Sequence, residues 1–68
     1  MNRNALRGEI AKNGLTQGKL ADALGMSKKT FSLRMKTGIF RTDEVEKIIS
    51  ILKISNPVDI FFDKQVTY

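Results

Sequence analysis

Apolar residues recur every three or four positions along most of this chain, which is the period of a helix. Gly14, Gly25, Gly38 and Pro57 cut it into short segments. The first runs from about Asn4 to Asn13, with Leu6 and Ile10 four apart on one face. Gly8 weakens it by roughly 0.5–1 kcal/mol relative to Ala. Asn13-Gly14 suits a helix exit, because glycine accepts the left-handed conformation found there. The second segment opens at Thr16, whose hydroxyl can cap it, carries Leu20, Ala21 and Leu24, and stops at Gly25. The third opens at Ser27, another capping residue, turns Phe31 and Met35 inward, and ends before Gly38. The fourth has the clearest pattern. Thr42 is its expected cap, and Asp43 and Glu44 complement the positive end of the helix dipole. Val45, Ile48, Ile49 and Leu52 form a full apolar stripe, with Lys53 in the last turn. The fifth is short: Asn56 as cap, Pro57 at the first helical position, then Val58, Ile60, Phe61 and Phe62. Only Gln65 to Tyr68 alternate as a strand would, so the tail from Asp63 is read as loose or extended.

These segments predict an all-α fold, one domain over residues 1–68, with four or five short helices around one core. At 68 residues and 41% hydrophobic content, the chain can build one small core and no more. It has no cysteine and no histidine, which excludes disulfides and Cys-based zinc sites and removes the commonest general base and metal ligand. Little room remains for a substrate pocket. No catalytic residue, no metal and no cofactor are expected. The longest apolar run, Ile60 to Phe62, is far too short to span a bilayer, and no signal-peptide pattern appears, so a cytoplasmic protein without membrane partners is expected.

Charge adds a direction. The net charge is +5, but residues 1–41 hold nine Lys and Arg against two acids, while residues 42–68 hold three Lys against five acids. A basic half joined to a mildly acidic half suggests one surface suited to a polyanion; a solvated basic face is the plainer alternative.

The basic half contains the central unit, about Thr16 to Lys36. Ala21 is small enough for two helices to approach closely. Gly25 follows the first helix directly, and Ser27 restarts a helix two residues later. A short glycine-containing turn between two helices is the signature of a helix-turn-helix. Leu20, Leu24, Phe31 and Met35 supply its shared core.

At about 100° per residue from Phe31, Lys29, Leu33 and Lys36 fall on the far side of the second helix, with Ser32 and Lys28 flanking them. Two lysines at the head of a helix oppose its dipole. Phosphates and guanine edges would offset that cost. Lys28 and Lys29 can donate to guanine O6 and N7, Ser32 can donate or accept, and Leu33 can meet a thymine methyl. Leu33 is otherwise an ordinary exposed leucine. These four, Lys28, Lys29, Ser32 and Leu33, are the candidate base readers. Gln17, in the first turn of the preceding helix, suits a phosphate oxygen. Lys19, Lys36, Arg41 and Thr42 are further phosphate candidates, although Thr42 can also be only a cap. Arg34 lies toward the core edge and is suited to pairing with an acid.

The sequence resembles the Cro/CI-type helix-turn-helix proteins, the lambda-repressor-like or XRE family, from about Leu6 to Phe62. Gly-Leu-Thr-Gln at 14–17, Leu-Ala at 20–21, Leu-Gly at 24–25, Ser27 and Thr30-Phe31-Ser32 carry the likeness. Thr42 to Leu52, Asn56-Pro57 and Ile60-Phe61-Phe62 match the family's closing helices. The resemblance implies a five-helix bundle, transcriptional regulation and a homodimer on a roughly palindromic double-stranded DNA operator. It also implies a phosphate-clamping role for Gln17 and base-reading roles for Lys28, Lys29, Ser32 and Leu33. The chain departs from the family at Thr37 to Arg41, where Ile39 or Phe40 can pack inward. Ending at Tyr68, it is similar to a stand-alone, Cro-like or prophage-type regulator.

Ile60, Phe61 and Phe62 are too many apolar side chains for so small a core, so they and Ile51 are the candidate dimer surface; Phe62 can instead close the core. The alternative to DNA binding is a protein-interaction module, such as an antitoxin or an antirepressor partner, built on the same bundle.

Overall fold

The computed structural model describes residues 1–62, so the expectation for the tail from Asp63 to Tyr68 lies outside the described residues. Five helices follow in order: α1 (Arg3–Lys12), α2 (Gln17–Leu24), α3 (Lys28–Thr37), α4 (Thr42–Leu52) and α5 (Pro57–Phe61). The fold is all-α and compact, and no strand occurs among the described residues.

Three helices begin on side-chain caps. Asn2 Oδ1 accepts the Ala5 N–H at 3.0 Å, Thr16 Oγ1 accepts that of Lys19 at 3.1 Å, and Ser27 Oγ accepts that of Thr30 at 3.1 Å. The cap at Asn2 starts α1 one residue earlier than the apolar pattern suggests. The start of α4 corrects the assignment of Thr42 as its cap. Arg41 holds the capping position and Thr42 is the first helical residue. The reason is Glu44, whose Oε1 reaches back to accept the Arg41 N–H at 2.8 Å, so a carboxylate in the first turn replaces a capping hydroxyl. Asn56 does precede α5, but its side chain makes no capping bond.

Three helices also end alike. Leu15 donates its N–H to the Ile10 carbonyl at 3.1 Å, Met26 to Ala21 at 3.0 Å, and Ile54 to Ile49 at 3.1 Å. Each is the long bond of a Schellman closure, with a left-handed residue before an apolar one. That left-handed residue is Gly14 (φ 71°), Gly25 (φ 74°) and, at the end of α4, Lys53 (φ 52°). Lys53 thus lies one residue past the helix rather than in its last turn. Ile54 is carried into the core by this turn.

The core consists of Leu6 and Ile10 from α1, Leu20, Ala21 and Leu24 from α2, Phe31 and Met35 from α3, Ile48 and Leu52 from α4, then Ile54 and Ile60. Val45 and Ile49, the other half of the α4 stripe, are only half-buried. α2 packs against α1, α3 and α4, and α1 against α5. In the loop before α4, Phe40 rather than Ile39 turns inward. Its ring centroid lies 5.7 Å from Phe31 and 6.4 Å from Phe61, the latter edge-on, while Ile39 stays exposed. Phe40 therefore ties α3 to α5 through aromatic contacts in favoured tilted geometry. Long-range polar links close the ends. Asn2 donates its N–H to the Ile60 carbonyl at 2.7 Å, and Asn13 Nδ2 bonds the Glu9 carbonyl at 2.8 Å and the Leu52 carbonyl at 3.1 Å.

Candidate nucleic-acid interface

The outer face of α3 follows from the burial of its inner one. Phe31 and Met35 are locked in the core, so residues on the far side of the helix must face outward. Lys28, Lys29, Ser32, Leu33 and Lys36 are all exposed, and Leu33 is 60% exposed on an otherwise polar stripe. The turn that aims this helix is short because Gly25 takes φ 74° and Met26 closes back on Ala21. Ala21 is fully buried and lies in α2, which packs directly on α3. α2 and α3 thus form a packed helix-turn-helix pair with an exposed, basic outer helix.

Not every cation of the basic half is free for a ligand. Arg34 Nε lies 2.8 Å from Oε1 of Glu44 and donates to Oε2 at 3.0 Å, so this arginine is engaged by the structure. Arg3 Nη2 donates to the Lys36 carbonyl at 2.8 Å, which caps the negative end of α3 with a positive charge. The Arg34 pairing agrees with its place toward the core edge on the helix wheel, whereas the Arg3 contact is not readable from spacing, since Arg3 and Lys36 are 33 residues apart.

The phosphate candidates divide into two groups. Gln17 is half-buried and Lys19 exposed on the first turn of α2, and Lys36 is exposed at the end of α3. Arg41 and Thr42 stand in different surroundings. Arg41 Nε lies 3.4 Å from Asp43 Oδ1, both side chains well exposed, and the shallow depression beside them is lined by Arg41, Thr42, Asp43 and Glu46. Two acids there make this corner the least favourable of the group for a phosphate.

The dimer candidates divide more sharply. Ile60 is 1% exposed and packs in the chain's own core, because the short α5 must bury one residue to dock on α1 at all. Phe61 is half-buried against Phe40, and Ile51 half-buried against the core. Phe62 is 62% exposed, and Val58, one turn earlier, is 64% exposed.

A further site feature that sequence reasoning missed is Gly18. It lies inside α2, and the space where its side chain would stand is filled by the aliphatic stem of Lys28. A glycine within the interior of a helix of only eight residues is the signal that points to it.

No family model, curated protein or solved structure matches the chain.

Proposed function

We propose that this protein binds double-stranded DNA sequence-specifically as a small transcriptional regulator, with α3 lying in the major groove. The observation that carries this reading is the exposed stripe of α3. It concentrates Lys28, Lys29, Ser32, Leu33 and Lys36 on a short helix whose opposite face is locked in the core. A helix fits the major groove, and lysine, serine and an apolar contact are side chains suited to base edges. In a helix-turn-helix, the first helix of the pair crosses the sugar–phosphate backbone. Here that helix begins with Gln17 and Lys19, which supports phosphate contacts from α2. The likeness to lambda-repressor-like proteins supports the same reading and adds a homodimer, with two recognition helices about 34 Å apart on a roughly palindromic operator. A cytoplasmic location fits a DNA-binding regulator, and among the described residues no helix is long and apolar enough to cross a membrane.

Selection of bound duplexes from a random pool is the direct test. An enriched palindrome supports both specific binding and two-fold symmetry. The exposed Leu33, Ile39, Val58 and Phe62 favour a second reading, a protein-interaction module of the antitoxin or antirepressor-partner kind. Salt separates the two. Binding through several phosphates weakens steeply as salt rises, whereas an apolar protein interface does not.

A further inference from the structure

Two glycines sit inside helices, and they differ in what surrounds them. A β-carbon added to Gly8 of α1 would meet nothing within 4 Å. One added to Gly18 of α2 would lie 2.8 Å from Lys28 Cε and 3.4 Å from both Cδ and Nζ. A distance of 2.8 Å between carbons is well inside van der Waals contact, so any residue larger than glycine at 18 displaces the end of the Lys28 side chain. Glycine is among the poorest helix formers, and Gly18 is not at a positive φ that would require it. What its absent side chain provides is a shelf for Lys28.

The shelf gives Lys28 a direction. Lys28 is the first residue of α3, and on the helix wheel it flanks the outward stripe rather than centring it. With its stem laid on Gly18, its ammonium stands beside the first turn of α2, not out along the far side of α3 where Lys29 and Leu33 project. α2 is the helix that crosses the DNA backbone in this type of unit. On the DNA-binding reading, on which this inference rests, we infer that Gly18 is a positioning residue: it seats Lys28 against α2, so that the Lys28 ammonium contacts the sugar–phosphate backbone and not a base edge. Lys28 then strengthens binding to every duplex, and Lys29, Ser32 and Leu33 are left to discriminate sequence.

The test is a cycle of four proteins: wild type, Gly18→Ala, Lys28→Ala and the double variant, with Gly8→Ala as a control for helix propensity. Each is titrated against a random-sequence duplex and against a duplex enriched by selection, over a range of salt. Gly18→Ala folds, because the atom it meets is the far end of a flexible side chain, and its Tm is at or above that of wild type. Its affinity falls for both duplexes alike. Losing one phosphate contact flattens the slope of log K against log salt by about 0.9, or roughly eightfold in affinity at 0.1 M salt relative to 1 M. Lys28→Ala has the same effect, and adding Gly18→Ala to it has none. Gly8→Ala binds as wild type does.

The outcomes separate the two levels. Wild type that shows no salt-dependent duplex binding removes the DNA reading, and this inference with it. Wild type that binds while Gly18→Ala is indistinguishable from it overturns the positioning role alone. A Gly18→Ala loss that persists in the Lys28→Ala background also overturns it, because the glycine then acts through close approach of its own backbone. A Lys28→Ala loss confined to the selected duplex returns Lys28 to the base readers.

Discussion

Arg34 and Glu44 form a half-buried ion pair that joins α3 to the start of α4, with Nε 2.8 Å from Oε1. That same oxygen accepts the Arg41 backbone N–H at 2.8 Å, so one carboxylate both caps α4 and pins it to α3. Glu44→Ala removes both contacts. A lost cap costs about 0.5–2 kcal/mol and a partly exposed pair about 0.2–1 kcal/mol, so the expected loss is roughly 1–2 kcal/mol. For a domain of this size that lowers Tm by roughly 4–8 °C per kcal/mol. Arg34→Ala loses only the pair. A thermal denaturation series over both single variants and the double variant reads the coupling directly, and a coupling near zero would mean the pair only decorates the surface.

Lys53 occupies the left-handed closing position of α4 at φ 52°, where Gly14 and Gly25 close α1 and α2. An L-residue in this conformation carries roughly 1–2 kcal/mol of strain. Glycine removes that strain but adds freedom to the unfolded chain. It also removes a cation from the negative end of the helix. The net expectation for Lys53→Gly is a gain of about 0.5 kcal/mol, a rise of roughly 2–4 °C in Tm. Lys53→Ala isolates the cause, since it deletes the charge and keeps the strain. A gain from alanine equal to that from glycine would assign the effect to charge.

Those two positions also mark how far the sequence could be read. Local chemistry was legible. Thr16 and Ser27 cap their helices, Gly25 and Gly38 end theirs in the left-handed region, and Leu20, Leu24, Phe31 and Met35 are core. Errors arose where a distant or competing group decided the local outcome. Thr42 lost the capping position because Glu44 satisfies the Arg41 N–H from inside the helix. Lys53 closes α4 although no glycine marks the spot, because burying Ile54 holds the turn. The apolar pattern also left open which of Ile60, Phe61 and Phe62 turns inward, and docking of α5 on α1 selects Ile60. At the site, periodicity identified the outward stripe of α3. It could not reveal that Lys28 rests on Gly18 or that Arg3 reaches Lys36, since both depend on how separate helices pack.

Lys29 and Arg34 are both cations of α3, and the proposed DNA binding predicts opposite behaviour for them. Lys29 is exposed on the outward stripe, whereas Arg34 is engaged by Glu44. Lys29→Ala is expected to lower affinity for a selected duplex more than for a random one, by about 1–3 kcal/mol if its contact is to a base edge. Arg34→Ala should change the two affinities little and alter Tm instead. Fluorescence anisotropy with both duplexes measures this. Equal losses for Lys29→Ala on the two duplexes would make Lys29 a phosphate contact and shift specificity onto Ser32 and Leu33.

Phe62 and Ile60 lie two residues apart in and just after α5 yet face different surroundings, one 62% and the other 1% exposed. If the protein pairs through this end of the bundle, Phe62 and Val58 are the apolar atoms available, because Ile60 is consumed by the protomer. Phe62→Asp then weakens self-association while leaving the fold intact, since an exposed aspartate costs little. Ile60→Ala acts the other way. It leaves a cavity under α5 and destabilises the protomer by roughly 2–5 kcal/mol, a large share of what a small domain has. Sedimentation equilibrium with thermal denaturation distinguishes them. An unchanged dimer for Phe62→Asp would move the interface away from α5, and a wild-type monomer at high concentration would remove pairing through α5 altogether.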